Sequence, residues 1–284
     1  MIFILLPVHD RCEFTSLYLN SLTRQELKTS LAVYVIDDNS TDGTAAMLAE
    51  WERGLHSSFP VRVIRSTHDL WWAGAVKRGL KAVLPLLRDG DFVYLANDDS
   101  IPDPGHFERL LDGSGSQPAA LLGTLAFEVW DTGHHHPVSA GFRIDTSHLE
   151  VTNIPGDQEP VRVDGLSGRG LLIPAAAARC IRMHPRLMPQ HFADISMTSA
   201  LSRAGIPLRV DHSATAKQLA RAGSSVEFKP SIRGFLTKRS SLYLPALATF
   251  WWLESTWPER LTLPWRFLMR GLVKLRSRAY TWDM

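Results

Sequence analysis

The 284-residue chain is poor in several features that mark particular classes of protein. Its only cysteines are Cys12 and Cys180, which excludes a disulfide-stapled fold and favours a reducing compartment. No apolar run reaches the ~18 residues needed to span a bilayer, and the N-terminal MIFILLP lacks the basic flank expected of a signal peptide. Lys and Arg number 31 against 29 Asp and Glu, a balance that argues against a nucleic-acid partner.

The common phosphate-binding and hydrolytic motifs are absent too. The first predicted strand runs into PVHDRCE (7–13), which has no glycine for the tight turn of a dinucleotide site. The chain contains no GxxxxGK[ST] P-loop, no GxSxG nucleophile elbow and no HExxH zinc motif. A phosphorylated ligand would therefore be bound with the help of a metal ion.

Short apolar runs alternate with helical patterns over the first hundred residues. The runs predict strands at 2–7, 31–36, 61–64 and 91–96, and the intervening segments predict helices at 14–27, 41–51 and 74–87. This alternation predicts an α/β fold with a mostly parallel sheet and helices on both faces. Ligands bind such sheets at the carboxyl ends of the strands.

The second half of the chain is less regular. DGSGSQP (112–118) predicts a loop, and 131–160 show little periodicity. Further along, the sequence predicts a helix at 175–182, a helix that ends near Gly205 and a last strand at 206–210.

Two pairs of adjacent aspartates stand where predicted strands end. Asp37 and Asp38 follow one strand, and Asp98 and Asp99 follow another. Carboxylates at such an edge accept hydrogen bonds from a base or ribose, or share a Mg²⁺ or Mn²⁺ ion with a nucleotide diphosphate. The alternative for either pair is turn formation, which aspartate favours.

The C-terminal segment differs in composition from the rest of the chain. Five of the nine Trp lie beyond residue 250, and residues 230–284 carry nine Lys and Arg against three Asp and Glu. The resulting +6 leaves −4 on residues 1–229. Three interpretations stay open: an interfacial element on an anionic membrane, a contact with a second subunit such as a homodimer, or helices that close the domain's own core.

Six segments together resemble the signatures of family 2 glycosyltransferases with the GT-A fold. They are ILLPVHDR (4–11), VYVIDDNSTDGT (33–44), DLWWAGAVKRGLKAVL (69–84), VYLANDDSIPDPG (93–105), VDGLSGRGLLIP (163–174) and FADISMTSALSRAGIPL (192–208). Rhamnosyltransferase-like members are the nearest-looking subgroup. The resemblance implies a Rossmann-like, nucleotide-diphospho-sugar transferase domain over residues 1–215. Its nucleotide-binding half would span about 1–104 and its acceptor half about 105–215, followed by a mostly helical extension at 216–284.

The same resemblance assigns nucleotide-binding roles. Asp38 would bind a uracil or thymine base, with Asp37 supporting the turn. Pro7 and His9 would line the nucleoside pocket from the end of the first strand. The donor would thus be a UDP- or dTDP-sugar.

The resemblance also implies a metal and a catalytic base. Asp98 would contact the ribose or the metal, and Asp99 would coordinate Mg²⁺ or Mn²⁺. Asp194 would be the general base of an inverting transfer, although the family's acidic motif is reduced here, with Ala193 and Ser196 at its other frequently acidic positions. Alternatively, Asp194 is a helix N-cap, a role that its position before an apolar helix allows.

Two further residues have competing interpretations. Trp72 either stacks on a sugar or base or packs at a strand–helix junction. Arg169, between two glycines, either pairs with the diphosphate or an acidic acceptor or has a plain surface role.

These expectations combine into one function and two rivals. The function is metal-dependent transfer of a sugar from a nucleotide-sugar to a saccharide or lipid-linked saccharide during bacterial cell-surface polysaccharide synthesis. The enzyme would work in the cytoplasm, either free or peripheral at the inner face of the cell membrane. The rivals are a catalytically inactive nucleotide- or sugar-binding subunit, suggested by Ala193 and Ser196, and a sugar nucleotidyltransferase, which would normally show a glycine-rich basic loop after the first strand.

Overall fold

The computed structural model describes residues 1–57, 59–116, 120–129, 135–156, 163–219 and 232–276. Its strands are β1 (Ile2–Val8), β2 (Leu31–Asp37), β3 (Val61–Arg65), β4 (Phe92–Leu95), β5 (Ser100–Pro102), β6 (Leu121–Val129), β7 (His135–Ser139), β8 (Phe142–Asp145), β9 (Glu150–Asn153), β10 (Leu171–Pro174) and β11 (Leu208–Leu219). Its helices are α1 (Cys12–Thr23), α2 (Thr44–Glu52), α3 (Trp71–Val83), α4 (His106–Ser116), α5 (Ala175–Ala178), α6 (Ala193–Arg203), α7 (Ile232–Leu236), α8 (Leu244–Glu254) and α9 (Trp257–Arg276), with a 3-10 turn at Leu84–Leu86.

The strands β3, β2, β1 and β4 are parallel neighbours in one large sheet. The apolar run of β1 is covered on both faces. Leu5 lies in the cluster that contains Leu80 of α3, whereas Ile4 lies in the cluster that contains Leu19 of α1 and Leu48 of α2. Burying each such side chain stabilises the fold by about 1.5–3 kcal/mol. The predicted α/β arrangement with helices on both faces is therefore confirmed.

The other half of the sheet is mixed. β10 runs antiparallel between β4 and β6, while β11 is parallel to β6 and antiparallel to β5. β7 pairs with β6 outside the main strand order. Leu171, the first residue of β10, is paired with Leu95, the last residue of β4. The segment before β10 therefore lies at the same sheet edge as the residues after β4.

The loop predicted at 112–118 is wrong for its first five residues, because α4 continues to Ser116; the rest of that loop, 117–118, lies outside the described residues. The glycines of this segment predict a loop, but a tertiary contact explains why one of them lies in a helix. A Cβ on Gly113 would lie 2.5 Å from Oδ2 of Asp211 at β11. Gly113 thus permits a close approach of α4 to β11 instead of ending the helix.

The segment without periodicity also contains regular structure. β8 and β9 pair as an antiparallel hairpin, in the register Phe142↔Asn153 to Asp145↔Glu150. Asp145 organises the turn, since its Oδ1 accepts the amide hydrogens of Ser147 (2.8 Å) and His148 (3.0 Å). Side-chain turn chemistry, which leaves no hydrophobic period, therefore specifies this hairpin. Residues 131–134 and 157–160 of the predicted irregular segment lie outside the described residues.

Two further predicted ends in the second half of the chain differ from the structure, and a third agrees with it. The Ala-rich helix ends at Ala178, because Cys180 and Ile181 donate to carbonyls three residues back and leave the helix through tight turns. The last strand continues through position 215 to Leu219, since β11 is paired on both sides, with β6 and β5. The end of α6 agrees with the prediction, and Gly205 follows it with φ of +87°.

The C-terminal extension packs on the body of the protein. Phe250 of α8 is buried and stacks on Phe192, with 4.8 Å between ring centroids. Next to it, Trp251 is buried in the same cluster. The buried carboxylate of Glu254 accepts a hydrogen bond from Ser199 of α6 at 2.6 Å. The interpretation that the extension closes the domain's own core therefore holds for α8.

Among the described residues, no helix has the length and apolar character needed to cross a membrane. Parts of the extension, 220–231 and 277–284 with Trp282, lie outside the described residues.

Candidate active site

Acidic residues and a glycine-rich segment meet at one edge of the sheet. β1 and β2 are paired through Val8 and Asp37 at their carboxyl ends, and β4 lies on the other side of β1. Because β10 is antiparallel to β4, the SGRG segment (167–170) that precedes β10 reaches the same edge. The topology thus brings both aspartate pairs next to the segment that the resemblance assigns to the acceptor side.

The loops after β1 and β2 are bound to each other. Asp10, with φ of +49°, accepts hydrogen bonds from the amides of Thr41 (2.6 Å) and Asp42 (3.3 Å) through Oδ1. In return, Oδ2 of Asp42 accepts the amide hydrogen of Cys12 at 3.1 Å. The motif at 4–11 contains Asp10 but assigns it no role, because its partner Thr41 lies 31 residues away.

Asp37 and Asp38 are both buried but have different partners. Oδ1 of Asp37 accepts the amide hydrogen of Ser40 at 3.1 Å, which stabilises the turn. The two oxygens of Asp38 accept the amide hydrogens of Leu70 (2.5 Å) and Trp71 (2.8 Å). Burial raises the pKa of the Asp38 carboxyl, and these two hydrogen bonds offset part of that rise. Asp38 therefore fixes the first residues of α3, where Trp71 has φ of +61°.

Pro7 and His9 lie where β1 ends. Pro7 is half-buried and is paired with Ile36 of β2. Nδ1 of His9 lies 2.6 Å from the carbonyl oxygen of Asp38, and its side chain is 40% exposed. Nε2 of His9 lies 3.6 Å from Oδ2 of Asp10, and the ring is partly exposed. We use the term groove for the region between the loops after β1, β2 and β4 and the SGRG segment.

Arg11 bridges the second aspartate pair. Its guanidinium lies 3.3 Å from Oδ1 of Asp98 and 3.1 Å from Oδ2 of Asp99. The other oxygen of Asp98 accepts a hydrogen bond from Thr15 at 3.1 Å. Burial raises the pKa of Asp98 to about 7, although Arg11 opposes this shift. The motif at 4–11 contains Arg11 but assigns it no role, because its partner Asp99 lies 88 residues away.

Asp99 is the carboxylate that best fits a metal ion. Its Oδ1 is buried and has no hydrogen-bond partner, whereas both oxygens of Asp98 have partners. Among the described residues, no group of three or more His, Cys, Asp or Glu side chains is arranged to hold a metal ion. Mg²⁺ and Mn²⁺ suit oxygen ligands, and Mg²⁺ is commonly bound through one or two carboxylates together with substrate phosphates. The donor set therefore fits a divalent ion shared with a diphosphate, with Asp99 as its protein ligand.

Trp72 connects the two sides of the groove. Its indole Nε1 donates to Oδ1 of Asn97 at 3.1 Å, directly before Asp98 and Asp99. A Cβ on Gly168 would lie 2.3 Å from Cζ2 of Trp72, so the indole packs directly on the SGRG segment. Trp72 is half-buried. It packs at the start of α3, and it is also part of the groove wall.

Asp194 lies in the first turn of α6, next to the SGRG segment. Its Oδ2 accepts the amide hydrogen of Gly168 at 2.9 Å, and its Oδ1 accepts that of Ile195 at 2.9 Å. The N-cap position is taken by Phe192, which has φ of +65° and makes no capping bond through its side chain. The alternative that Asp194 is the N-cap is therefore wrong. The half-buried carboxylate is positioned by the backbone of the SGRG segment.

Three cationic side chains lie next to Gly168 or Trp71. Arg169 is half-buried on the SGRG segment, next to Gly168. Lys238 and Arg239, from the extension, lie over the Trp71 ring at 5.8 and 5.9 Å from its centroid. Sequence patterns did not mark these two residues, because they reach α3 only through the folding of the extension.

A family model confirms the resemblance. The model of glycosyl transferase family 2 matches residues 3–169, which is more than half of the chain. The chain belongs to glycosyltransferase family 2. The matched range of this family 2 member contains the loops after β1, β2 and β4 together with Trp72 and most of the SGRG segment. A comparison with curated proteins finds no match.

Solved structures show the same fold at low sequence identity. GalNAc-T7, solved with UDP, GalNAc and Mn²⁺, is 12% identical, with a TM-score of 0.62 over 78% of this chain and 44% of that one. TarS 1–349 of S. aureus is 14% identical, with a TM-score of 0.57 over 100% of this chain and 75% of that one. The mannosyltransferase PcManGT of Pyrobaculum calidifontis, solved with GDP-Man and Mn²⁺, is 11% identical. Its TM-score is 0.56 over 99% of this chain and 75% of that one.

The comparisons establish the fold class and the family. The expected GT-A fold is confirmed, and the chain is a member of a glycosyltransferase family. The family 2 chain spans less than half of GalNAc-T7, so that protein's activity does not transfer as a whole. The rhamnosyltransferase-like subgroup stays a prediction.

Proposed function

We propose that the protein transfers a sugar, with inversion, from a UDP- or dTDP-sugar to a saccharide or lipid-linked saccharide in bacterial cell-surface polysaccharide synthesis. The observation that carries the proposal is the position of Trp72. Its indole contacts Asn97, beside the Asp98–Asp99 pair, and packs on Gly168, whose amide binds Asp194. A donor-side acidic pair and an acceptor-side carboxylate therefore flank one aromatic wall.

The donor nucleoside would bind in the groove at the ends of β1 and β2. Pro7 and His9 line one side of this groove, and His9 presents a partly exposed ring. A carboxylate has about four lone-pair sites, so Asp38 can accept from a base while it holds Leu70 and Trp71. Asp37 keeps the turn in place through Ser40.

The diphosphate would lie near Asp99. Asp99 has the unpartnered buried oxygen, and Arg11 holds its other oxygen in place. A bound Mg²⁺ or Mn²⁺ ion would neutralise charge on the diphosphate leaving group. The two oxygens of Asp98 contact Arg11 and Thr15. Asp98 would either contact the ribose or hold Arg11 in position beside Asp99, the metal ligand. Arg169, Lys238 and Arg239 would add positive charge at the groove.

Asp194 would act as the general base. It accepts the proton of an acceptor hydroxyl while the hydroxyl oxygen forms a bond to the anomeric carbon. The bond from that carbon to the diphosphate breaks on the opposite face, and its electron pair leaves with the diphosphate. The amides of Gly168 and Ile195 hold the carboxylate without protonating it, so Asp194 can perform this step without the neighbouring acids that Ala193 and Ser196 replace.

We expect the setting to be the cytoplasm, where both cysteines would stay reduced. Cys12 and Cys180 are free thiols in the structure.

Asp194→Asn tests the base. Asparagine can still accept the Gly168 amide hydrogen through its side-chain oxygen, so the fold and nucleotide binding should persist while kcat falls about 10²–10⁴-fold. The measurements are transfer from a panel of UDP- and dTDP-sugars with Mg²⁺ or Mn²⁺, and calorimetric binding of the nucleotide diphosphate. Asp89→Asn is the matched control, because the Asp89 side chain is fully exposed. Wild-type transfer rates in the Asp194→Asn protein would exclude Asp194 as the base.

The same assays separate the rivals. Nuclear magnetic resonance of donor and product compares their anomeric configurations, and retention would contradict the inverting mechanism. Metal-dependent nucleotide binding by the wild-type protein, without transfer to any acceptor, would favour a binding subunit. Release of pyrophosphate from a nucleoside triphosphate and a sugar phosphate would favour a nucleotidyltransferase.

A further inference from the structure

One face of α9 is apolar and exposed to solvent. Between Thr256 and Met269 every exposed residue is apolar or uncharged. Five of them are large and lie three or four residues apart or adjacent, so they form one stripe along the helix. This α9 outer stripe consists of Trp257 (66% exposed), Leu261 (71%), Trp265 (63%), Leu268 (53%) and Met269 (41%).

The opposite face of α9 is fastened to the protein, which fixes the direction of the stripe. Leu263 is buried in the cluster that contains Phe250, and Phe267 packs against that cluster. Glu259 accepts a hydrogen bond from Thr146 at 2.7 Å. The outward direction of the α9 outer stripe is therefore a property of the packed fold.

The charged residues of α9 from Glu259 to Arg270 lie beside the stripe and have partners on the protein side. Arg270 donates to the carbonyl of His148 at 2.5 Å, and Arg266 lies 4.0 Å from Glu259. Arg260 donates to the carbonyl of Trp252 at 2.8 Å, and its guanidinium lies 5.3 Å from the centroid of the Trp252 ring. Because Trp252 is 48% exposed, it extends the apolar surface from α9 onto α8.

An exposed apolar stripe of this kind indicates a binding surface. Soluble monomers rarely expose several large apolar side chains as one contiguous patch unless that patch binds a partner or a membrane. Tryptophan suits the headgroup level of a bilayer, because its ring is apolar and its N–H is polar. Arginines that border such a face suit an anionic surface.

Charge favours lipid over a second copy of the chain. Residues 230–284 carry nine Lys and Arg against three Asp and Glu, a net charge of +6. Two such segments would repel each other in a dimer, whereas an anionic lipid surface is complementary to each one. We propose that the α9 outer stripe docks the protein on an anionic lipid surface, with α9 lying in the plane of the interface.

The docked helix is joined to the candidate active site. α9 contacts the β8–β9 hairpin through Glu259 and Arg270, and α8 contacts α6 through Glu254. α6 carries Asp194. Docking would hold the acceptor side of the groove at a fixed distance from the lipid; this consequence rests on the proposed function, but the lipid binding itself does not.

The test is sedimentation of the full-length protein with vesicles of phosphatidylcholine alone or mixed with phosphatidylglycerol. We expect binding to the mixed vesicles that weakens with added salt, and little binding to phosphatidylcholine alone. Trp257→Ser/Leu261→Ser/Trp265→Ser should weaken binding by at least about tenfold, because three anchors are lost from the interface. These side chains are exposed, so the thermal unfolding midpoint should stay close to that of the wild type.

The control replaces three exposed leucines elsewhere, Leu55, Leu86 and Leu187, by serine, and should bind like the wild type. Absence of binding to the phosphatidylglycerol vesicles, or equal binding by the stripe variant and the wild type, would overturn the proposal. A dimer in sedimentation velocity that dissociates in the stripe variant, without vesicle binding by the wild type, would assign the stripe to a second copy instead.

Discussion

Trp72 connects three segments that are distant in the sequence. Its indole N–H donates to Asn97, its ring lies on Gly168, and its amide donates to Gln190 at 3.3 Å. Its neighbour Trp71 has the left-handed backbone that Asp38 stabilises. A side chain at position 168 would therefore disturb both sides of the groove.

Gly168→Ala tests this contact. The added Cβ would lie 2.3 Å from the Trp72 ring, so the ring or the SGRG segment must move. We expect a loss of about 1–3 kcal/mol in the free energy of unfolding, as for other overpacked sites. We also expect about a hundredfold loss in kcat/KM, since small displacements of positioned groups are costly. Urea unfolding and the transfer assay measure these effects.

Gly115→Ala is the matched control. Gly115 lies in α4, and an added Cβ meets nothing within 4 Å. It should raise the free energy of unfolding by about 0.4–1 kcal/mol and leave kcat/KM unchanged. Equal effects of the two substitutions would show that Gly168 matters only through backbone entropy.

Some of these residues could be predicted from sequence and others could not. Asp37, Asp38, Asp98 and Asp99 follow apolar strands, so their position at the sheet edge follows from the strand pattern. The contact of Arg11 with Asp99 depends on where two loops meet in three dimensions, which no local pattern encodes.

At the scale of elements, a buried histidine joins α4 to the sheet. Nδ1 of His106 lies 2.9 Å from the carbonyl of Thr215 in β11, so this nitrogen carries the proton. Nε2 then accepts from the hydroxyl of Tyr94 in β4 at 2.9 Å. Burial lowers the pKa of His106 to about 4. The neutral ring thus holds α4 against β4 and β11.

This histidine makes stability depend on pH. In the unfolded chain its pKa is about 6.5, so between about pH 6.5 and about pH 4 the unfolded state binds the extra proton. The contribution of His106 to the free energy of unfolding is complete above this pH window and is lost as the pH falls through it. The loss is at most about 3 kcal/mol. We expect the free energy of unfolding to fall less between about pH 7.5 and about pH 5 for His106→Gln than for the wild type, as measured by urea unfolding.

Asp98 acts in the opposite direction, because burial raises its pKa to about 7. Asp98 is present in the wild type and in His106→Gln, so its effect cancels when the two proteins are compared. If the wild type and His106→Gln lose equal stability between the two pH values, carboxylates and not His106 set the acid sensitivity.

Which elements could be predicted depends on what specifies them. β1 and β2 are apolar runs because both faces are buried, so composition alone locates them. α4 includes Gly113 because of the approach of Asp211, and the β8–β9 turn is held by the Asp145 carboxylate. Such elements are specified by contacts or turn chemistry, and a hydrophobic period does not show them.

At the scale of the whole molecule, the C-terminal extension and the α/β body share a core. The expected boundary at 215 falls inside β11, which continues to Leu219. Phe250 of α8 packs on Phe192, directly before α6, and buried Glu254 is paired with Arg203 and Ser199 at the other end of α6. We therefore expect the body and the extension to unfold together in one transition.

Phe250→Ala tests this coupling. Removing a fully buried ring should lower the free energy of unfolding by about 3–5 kcal/mol and shift a single transition to lower urea. It should also reduce turnover, because the cavity would lie under the helix that carries Asp194. Trp252→Ala is the control: that side chain is 48% exposed on the same helix, so the change should cost at most about 1 kcal/mol. Two separate transitions in the wild type, with only one of them shifted by Phe250→Ala, would mean that the extension folds as an independent unit.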